Sequence, residues 1–399
     1  MKIAFLATNA LVNTGGNLYD LVVMKGLADA GHDVHLHTSG FKEASLRETG
    51  VLIVPEGVKL HFHRKPFQFY PSNWLLLNAA RMIRGGKTIW DMATTIREHY
   101  DLLVYCEDLA ASVYPVASKK ADLNLAIIHH IGEPDSLAAY MRGVARGVNP
   151  YAYWMQRLGD GFLRRMDLVV AVSEYWKRRL IGEYGCRRVA VIPNGIDPNY
   201  FSDAGDPEGF RRRYGLEDKL VVLMGIYGRG RGLETMLRAV CRVPNAVLLV
   251  TGRRWSDPIW MRETGPLFAR AEKMGRFLWT GVLPPREYKA ALLAADAVAV
   301  LSEYEEGWSR MLHEGALAGK PLITTGLGGM GEIAKQTWSL VVKPRDVEEV
   351  ERALWRVASL SARDREVIGD VNRSWASGFT WNHAIERWVK LVKSLEVKA

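Results

Sequence analysis

Short apolar segments alternate along the chain with longer stretches whose apolar positions recur at helical spacing. The segments predicted as strands are residues 3–6, 34–37, 102–105, 125–128, 168–172, 189–192, 221–224, 247–250, 277–280, 297–301, 321–324 and 340–342. Strands that alternate with helices are typical of βαβ units and parallel sheets. The pattern therefore predicts an α/β fold with doubly wound, Rossmann-like sheets.

The strand series begins again near Leu220, after a turn-rich segment at residues 193–198 and a charged helix through Arg211. The 399 residues are also about twice the length of a usual domain. We expect a linker near residues 193–218, and two domains that face a central cleft, where ligands usually bind. The predicted domains are residues 1–195 and 196–378, with a C-terminal helix at about 379–399 that returns to the first domain.

The chain is basic, with a net charge of +9 from 53 lysines and arginines against 44 acidic residues. This balance favours anionic partners such as nucleotide diphosphates or phospholipid surfaces. No basic tract with interleaved aromatics has the spacing of a nucleic-acid motif, so nucleic acid is not an expected partner. The odd number of distant cysteines (Cys106, Cys186 and Cys241) fits a reducing cytoplasm. No run of 18 apolar residues predicts a transmembrane helix.

Two acidic residues, Glu306 and Glu314, lie eight positions apart after the strand predicted at residues 297–301. On one continuous helix they would point about 80° apart. Gly307 and a candidate N-cap, Ser309, favour another layout, with Glu306 in a loop and Glu314 on a helix that starts near Ser309. The free N–H groups of that helix would suit a phosphate. Taken alone, the spacing also fits an ordinary acidic loop before a helix.

Together with the small-residue segment at 316–321, this region resembles the Glu-x7-Glu signature of retaining GT-B glycosyltransferases, in particular glycosyltransferase family 4. The resemblance covers nearly the whole chain and includes residues 172–173, 192–197 and Phe201. It implies a GT-B fold in which Glu306 holds the transferred sugar and Glu314 holds the ribose of a nucleoside diphosphate sugar. By their place beside this motif, Gly307, Trp308, Ser309 and Arg310 are expected to bind substrate.

Two glycine-rich loops follow predicted strands and are candidate phosphate sites. Gly15 and Gly16 precede the first helix, where the family places a Gly-Gly loop near the donor diphosphate. A tight turn without a ligand remains an alternative there. This loop is not a G-x-G-x-x-G fingerprint, which counts against a dinucleotide dehydrogenase. Residues 325–332 form a further Gly-rich segment that fits either a donor loop or a plain strand–helix turn.

The loop at residues 225–232 is predicted to hold the donor diphosphate, because guanidinium groups bind phosphate oxygens in pairs. Gly225, Gly228, Arg229 and Arg231 are the candidate residues. The family usually has Gly-Arg followed by Lys-Gly. Here Ile226 takes the Arg position and Arg231 takes the Lys position. Which arginine touches which phosphate is therefore left open, as is an interpretation of both as solvated loop residues.

His129 and His130 end the strand predicted at residues 125–128, where family members often carry a histidine near the transferred sugar. The sequence does not choose between the two. A zinc site is not expected, because adjacent side chains diverge on a strand. By resemblance, Gly281 lies in the turn that meets the nucleobase. The candidate catalytic residues are thus Glu306, His129, His130, Arg229 and Arg231, with no metal and no cofactor beyond the nucleotide sugar.

Residues 61–90 mix basic and aromatic side chains, which suits either a membrane surface or an ordinary helix with a solvated basic face. The first interpretation places the protein in the cytoplasm, in peripheral contact with the inner face of the membrane. It also fits a lipid-linked acceptor, although a glycan or a small molecule remains an equal candidate. The resemblance implies retaining sugar transfer to a hydroxyl of such an acceptor. The alternatives are a sugar phosphorylase, a nucleotide-sugar epimerase, or a catalytically silent sugar-binding subunit.

Overall fold

A computed structural model of the chain describes residues 1–7, 10–11, 14–39, 53–63, 90–131, 150–225, 228–252 and 258–396. The chain divides into two compact units, one of Met1–Gly195 with Trp381–Ala399 and the other of Ile196–Thr380. The division falls within the expected linker. The second unit ends at Thr380 rather than at residue 378, because the backbone N–H of Ile196 donates to the carbonyl of Phe379 (2.8 Å) and Ile196 also bridges to Thr380.

A seven-stranded sheet forms the centre of the first unit, in the order β3-β2-β1-β4-β5-β6-β7, and its paired strands are all parallel. Its strands are β1 (Lys2–Ala7), β2 (Asp33–Ser39), β3 (Val58–His63), β4 (Tyr100–Cys106), β5 (Ala121–Ile128), β6 (Leu168–Ala171) and β7 (Val189–Val191). The helices of this unit include α1 (Gly15–Asp29), α2 (Glu107–Ala111), α3 (Tyr114–Ala117), α4 (Pro150–Leu163), α5 (Glu174–Gly182) and the C-terminal α14 (Trp381–Glu396).

The second unit contains a six-stranded parallel sheet in the order β10-β9-β8-β11-β12-β13. Its strands are β8 (Leu220–Met224), β9 (Ala246–Thr251), β10 (Phe277–Gly281), β11 (Ala297–Val300), β12 (Leu322–Thr324) and β13 (Ser339–Val341). Its helices include α6 (Pro207–Tyr214), α7 (Leu233–Val240), α8 (Pro258–Lys273), α9 (Pro285–Ala294), α10 (Arg310–Leu317), α11 (Met330–Ala334), α12 (Val347–Ala358) and α13 (Ala362–Ser377).

Most of the strands are largely apolar because helices cover both faces of each sheet. In β1, Ala4 and Leu6 join one core cluster, whereas Ile3 and Phe5 join the cluster on the opposite face. All six residues of β9 are buried. The prediction of doubly wound parallel sheets is therefore confirmed for both units.

The edge strand β3 was not predicted, because its residues alternate between polar and apolar and most are partly or fully exposed. Its last residues, His61 and His63, belong to the segment that was expected to be a membrane-surface or basic helix. The alternative of a basic helix is wrong for residues 61–63, which form a strand, and contact with a membrane surface stays a prediction; residues 64–89 lie outside the described part of the chain. Among the helices that the structure describes, none has the length and apolar character needed to cross a membrane.

The C-terminal helix α14 packs against α1 in the first unit. Trp388 is fully buried, and its indole N–H donates to the Tyr19 hydroxyl (2.7 Å), which in turn donates to the carbonyl of Ile192 (3.0 Å). The helices also approach closely at Gly26, where an added Cβ would lie 2.5 Å from a methyl carbon of Ile385. These contacts fix α1, which carries the Gly15-Gly16 pair, against the C-terminal end of the chain.

Two histidines from neighbouring strands form a hydrogen-bonded chain that ends in the helix at residues 90–95. The Thr95 hydroxyl donates to the carbonyl of Asp91 (2.6 Å), so it accepts from Nδ1 of His63 (2.9 Å). Nε2 of His63 then accepts from Nδ1 of His37 (3.0 Å), and Nε2 of His37 accepts from the Tyr100 hydroxyl (3.0 Å). Both rings are therefore neutral in this arrangement.

We expect this chain of imidazoles to make the protein less stable in acid. Burial and the three neighbouring histidines lower the pKa of His37 to about 3, whereas a histidine in an unfolded chain titrates near a pKa of about 6.5. Below about pH 6.5 the unfolded state therefore binds more protons, and the free energy of unfolding falls as the pH falls. Each such histidine contributes a slope of about 1.4 kcal/mol per pH unit at most.

Urea unfolding between about pH 7 and pH 5, a range above most carboxylate titration, measures this slope. The variant His37→Gln should show a shallower dependence than the wild type. His99→Gln is the matched control, because His99 lies on the surface, in an exposed pair with Asp122 (2.8 Å). Equal slopes for the wild type and His37→Gln would rule out this origin of acid sensitivity.

Candidate active site

The two glutamates of the Glu-x7-Glu pattern lie on a loop and on the helix that follows it. Glu306 is in the loop after β11, and the hydroxyl of Ser309 caps α10 by accepting from the N–H of Leu312 (3.3 Å). The layout predicted from Gly307 and Ser309 is confirmed. The helix lies close to β11, because an added Cβ on Gly315 would be 2.8 Å from Cβ of Val298.

The Glu306 carboxylate accepts a hydrogen bond from the Ser302 hydroxyl (2.6 Å) and forms an ion pair with Arg231. The guanidinium carbon of Arg231 also lies 5.0 Å from the ring centroid of Tyr304. Both charged side chains keep about one fifth of their surface accessible, at 21% each. The second unit therefore presents a carboxylate and a guanidinium side by side, and both can be reached from solvent.

The glycine-rich segment after β12 holds the backbone of Glu306. The N–H of Gly329 donates to the Glu306 carbonyl (2.8 Å), and Gly328 forms a parallel bridge with the same residue. Gly328 has a φ of +64°, and an added Cβ would lie 2.4 Å from the Glu306 carbonyl oxygen. Only glycine fits this position without strain. The segment at residues 325–332 thus positions Glu306 through backbone contacts.

The arginine-bearing loop connects β8 to α7. Gly232 has a φ of +70°, and an added Cβ would lie 2.4 Å from the Leu301 carbonyl oxygen, so the loop lies tightly against the end of β11. This packing brings Arg231 to Glu306, whereas Arg229 lies beside Glu263 of α8 (3.8 Å). Arg231 is therefore the arginine that the loop presents to the glutamate.

Three further candidate glycines lie after β8 or at the end of β10. Gly225 ends β8, where an added Cβ would lie 3.1 Å from the sulfur of Met311 on α10, and Gly228 is buried. Gly281 ends β10 with a φ of +71°, and its carbonyl accepts from the N–H of Gly252 (2.7 Å). Ile226, at the place of the family arginine, lies outside the described residues. All these glycines follow parallel strands, so they share one edge of the sheet.

Glu314 is only 2% exposed, and its oxygens already accept hydrogen bonds within the protein. Oε1 accepts from the Tyr200 hydroxyl (3.0 Å) and from Nε of Arg310 (2.7 Å), and Oε2 accepts from the Tyr288 hydroxyl (2.7 Å). The negative charge of Glu314 raises the pKa of Arg310. Burial, followed by the same charge, raises the pKa values of Tyr200 and Tyr288. Among the described residues, three hydrogen bonds thus hold a carboxylate that has about four acceptor positions.

Trp308, which was expected to touch substrate, lies in an aromatic cluster. Its ring centroid is 6.0 Å from that of Trp375 and 5.2 Å from that of Phe379. His313 joins the same cluster, and burial lowers its pKa to about 4, while its Nε2 lies 3.1 Å from the carbonyl of Ala376. At 9% exposure the ring of Trp308 links the start of α10 to α13 as a core residue, and substrate contact by Trp308 stays a prediction.

In the first unit the structure distinguishes between the two histidines. His129 is buried, and its ring lies against the glycine pair at the start of α1, 2.9 Å from an added Cβ on Gly16. Its Nε2 is 3.0 Å from Oδ1 of Asp20, whereas His130 is exposed. Burial opposes a charge on His129, but Asp20 and Glu107 outweigh it and raise the pKa of His129 above its ordinary value.

Three of these contacts could not be read from the sequence alone. Tyr200 and Tyr288 reach Glu314 from distant elements, and neither has a motif of its own. The sequence gives a weak indication that Asp20 lies near the glycine pair, because it follows Gly16 by one helical turn and therefore lies on the same face of α1. Within the described residues, no three His, Cys, Asp or Glu side chains are arranged to hold a metal ion.

Two family models match the chain. The model described as Glycosyltransferase Family 4 matches residues 15–200, and the model described as Glycosyl transferases group 1 matches residues 218–359. The boundary between them falls within the linker region predicted from the sequence.

Curated relatives resemble the chain at low identity. The 2-deoxystreptamine glucosyltransferase of Streptomyces kanamyceticus is 29% identical over 61% of this chain and 63% of its own. The D-inositol 3-phosphate glycosyltransferase of Corynebacterium jeikeium is 29% identical over 57% of this chain and 58% of its own. The chain thus spans about three fifths of these relatives, whereas it matches 85% of the glycogen synthase of Mycobacterium tuberculosis at 26% identity.

Solved structures share the fold. The sucrose-phosphate synthase of Thermosynechococcus elongatus is 18% identical, with a TM-score of 0.77 over 100% of both chains. HepE of Anabaena, solved in complex with UDP and glucose, is 20% identical, with a TM-score of 0.72 over 99% of this chain and 100% of that one. At such low identities the likeness supports the fold.

Proposed function

The chain belongs to glycosyltransferase family 4 and has the GT-B fold, and we propose that it is a retaining glycosyltransferase that uses a nucleoside diphosphate sugar. The observation that carries this proposal is the ion pair of Arg231 and Glu306 beside the amino end of α10. Sugar transfer from such a donor needs a cation for the leaving diphosphate and an acceptor for the sugar hydroxyls. The pair supplies both at one edge of the sheet.

We assign the leaving diphosphate to Arg231 and to the free N–H groups at the start of α10. In the reaction, the bond between the anomeric carbon and the diphosphate oxygen breaks. The acceptor oxygen bonds to the same carbon on the same face, and its proton passes to the departing diphosphate. Arg231 stabilises the charge that develops on the leaving group, while Glu306 accepts hydrogen bonds from the sugar. In the free protein Arg231 and Glu306 pair with each other. When the donor binds, Arg231 contacts the diphosphate and Glu306 contacts the sugar hydroxyls instead.

We assign the nucleoside ribose to Glu314, with a ribose hydroxyl donating to Oε2, which accepts one hydrogen bond, from Tyr288, among the described residues. Tyr200, Tyr288 and Arg310 hold the carboxylate in place for a single hydroxyl. The nearby turn at Gly281 would meet the base. The uridine nucleotide in the HepE complex supports a UDP-sugar as the first donor to test. The acceptor is proposed to be a hydroxyl of a glycan, a lipid or a small molecule.

A thermal-shift panel of UDP, GDP, ADP and their sugars tests the donor assignment. We expect one base to raise the melting temperature, since a ligand at about 100 times its Kd stabilises the folded state by about 2.7 kcal/mol. Slow hydrolysis of the matching nucleotide sugar, with water as acceptor, would then show that the site can transfer. Nucleotide binding without hydrolysis or transfer would favour a silent binding subunit, and no response to any nucleotide would contradict the proposal.

A further inference from the structure

A buried acid–imidazole pair lies in the first unit, beside the glycine pair that begins α1. Asp20 is 1% exposed and His129 is 8% exposed, and Oδ1 of the first is 3.0 Å from Nε2 of the second. A buried carboxylate is stable only with a hydrogen-bonded or charged partner. Nε2 of His129 therefore carries a hydrogen and donates a hydrogen bond to Oδ1 of Asp20.

The orientation of the ring follows from its contact with Gly16. An added Cβ on Gly16 would lie 2.9 Å from Cδ2 of His129 and 3.3 Å from Nε2, so this edge of the ring faces α1. Nδ1 is on the opposite edge of the ring and points away from Asp20. Any larger side chain at position 16 would displace the ring.

The groups around His129 favour a second proton on the ring. From α1 come Asp20 and Tyr19, whose ring meets the imidazole edge-on with centroids 5.2 Å apart. From the end of β4 comes Cys106, whose thiol lies against Asp20 and has its pKa raised by burial and by that carboxylate, and the next residue is the acidic Glu107. Within the described part of the chain, the charged groups that act on the ring, Asp20 and Glu107, are thus both negative.

We propose that Asp20 is a positioning residue that holds His129 in its doubly protonated form, with Nδ1–H directed at an oxygen atom of a substrate bound on the side of the ring that faces away from Asp20 and Gly16. This inference rests on the proposed sugar transfer, and it adds the requirement that His129 carry a positive charge during that reaction. An imidazolium donates a charge-assisted hydrogen bond from Nδ1, whereas the neutral ring with its proton on Nε2 offers only an acceptor there.

The charge on His129 determines how sugar-transfer activity depends on pH. Because the negative neighbours raise the pKa of His129, the protonated form persists to a higher pH than in an ordinary histidine and is lost as the pH rises through that raised value. Activity should therefore have an alkaline limb that belongs to His129. Removing the charge of Asp20 lowers the pKa of His129, so the alkaline limb moves to lower pH.

The experiment combines NMR titration of histidine-labelled protein with pH profiles of kcat for the donor identified in the nucleotide panel. His129→Gln assigns the resonance of His129. In Asp20→Asn we expect the His129 midpoint to fall by at least about one pH unit, and the alkaline limb of kcat to move with it. Asp122→Asn is the matched control, because it removes the acid of the surface pair with His99 (2.8 Å). It should leave the His129 midpoint and the pH profile unchanged.

An unchanged His129 midpoint in Asp20→Asn, or an alkaline limb that persists in His129→Gln, would overturn the inference. If Asp20→Asn does not fold, two measurements still test the inference: the titration midpoint of His129 in the wild type, and the loss of the alkaline limb of kcat in His129→Gln. The titration itself requires no turnover. A wild type that transfers no sugar from any donor would therefore overturn the proposed function, while a midpoint that follows Asp20 would still establish the pair.

Discussion

Replacing Arg231 with methionine should lower kcat for sugar transfer by about 100- to 1000-fold, the usual loss when one preorganised donor to a developing negative charge is removed. Arg231 is the guanidinium that the loop after β8 places against Glu306. The leaving diphosphate gains negative charge in the transition state, so an interaction with it stabilises the transition state more than the bound donor. The Michaelis constant for the donor should change much less than kcat.

The matched control is Arg242→Met, which removes an arginine of the same unit from a surface pair with Glu351 (3.1 Å). Its kcat should equal that of the wild type, and both variants should unfold near the wild-type temperature. Glu306→Gln should also slow transfer, with donor binding largely kept. Since Arg231 and Glu306 act in one step, the double variant should lose less activity than the product of the single losses. A kcat in Arg231→Met within a few-fold of the wild type would remove this residue from the mechanism.

The backbone layout of the site could be predicted from the sequence because its signals are local. The glycine at 307 and the cap at Ser309 fixed where the loop ends and where α10 begins, and both were found as expected. The twelve predicted strands were also found, since buried parallel strands are apolar without interruption. The exception, β3, is an edge strand whose mixed pattern carries no such signal.

The side-chain partners could not be predicted, because they come together only through packing over long stretches of chain. Tyr200 and Glu314 are 114 positions apart, and Asp20 and His129 are 109 positions apart. Trp308 shows the same limit: its position two residues after Glu306 suggested a ligand contact, and the sequence did not indicate that its ring packs against Trp375. Local patterns thus fix which element carries a residue, whereas the direction of its side chain depends on the neighbours.

Glu314→Ala should destabilise the protein by about 2–4 kcal/mol, because two tyrosine hydroxyls lose their acceptor at about 1–3 kcal/mol each, while Arg310, which is 38% exposed, regains contact with water. The change leaves the Arg310 guanidinium and the Tyr200 and Tyr288 hydroxyls without their acceptor. Loss of donor binding in this variant would therefore mix two effects, a missing ribose contact and a loosened site. Urea unfolding at neutral pH measures the loss of stability. Glu351→Ala, which removes a surface glutamate of the same unit, is the control.

Glu314→Gln separates the two effects, because the amide keeps the shape of the side chain and still offers an oxygen to Tyr200 and Arg310. We expect it to lose only about 1–2 kcal/mol of stability, and yet to bind the nucleotide about 10-fold more weakly, since a neutral acceptor holds a hydroxyl less strongly than a carboxylate does. If the Gln variant binds nucleotide as tightly as the wild type while the Ala variant unfolds early, Glu314 supports α10 and does not hold the ribose. If both variants are as stable as Glu351→Ala, the hydrogen bonds around Glu314 do not contribute to the fold as their burial requires.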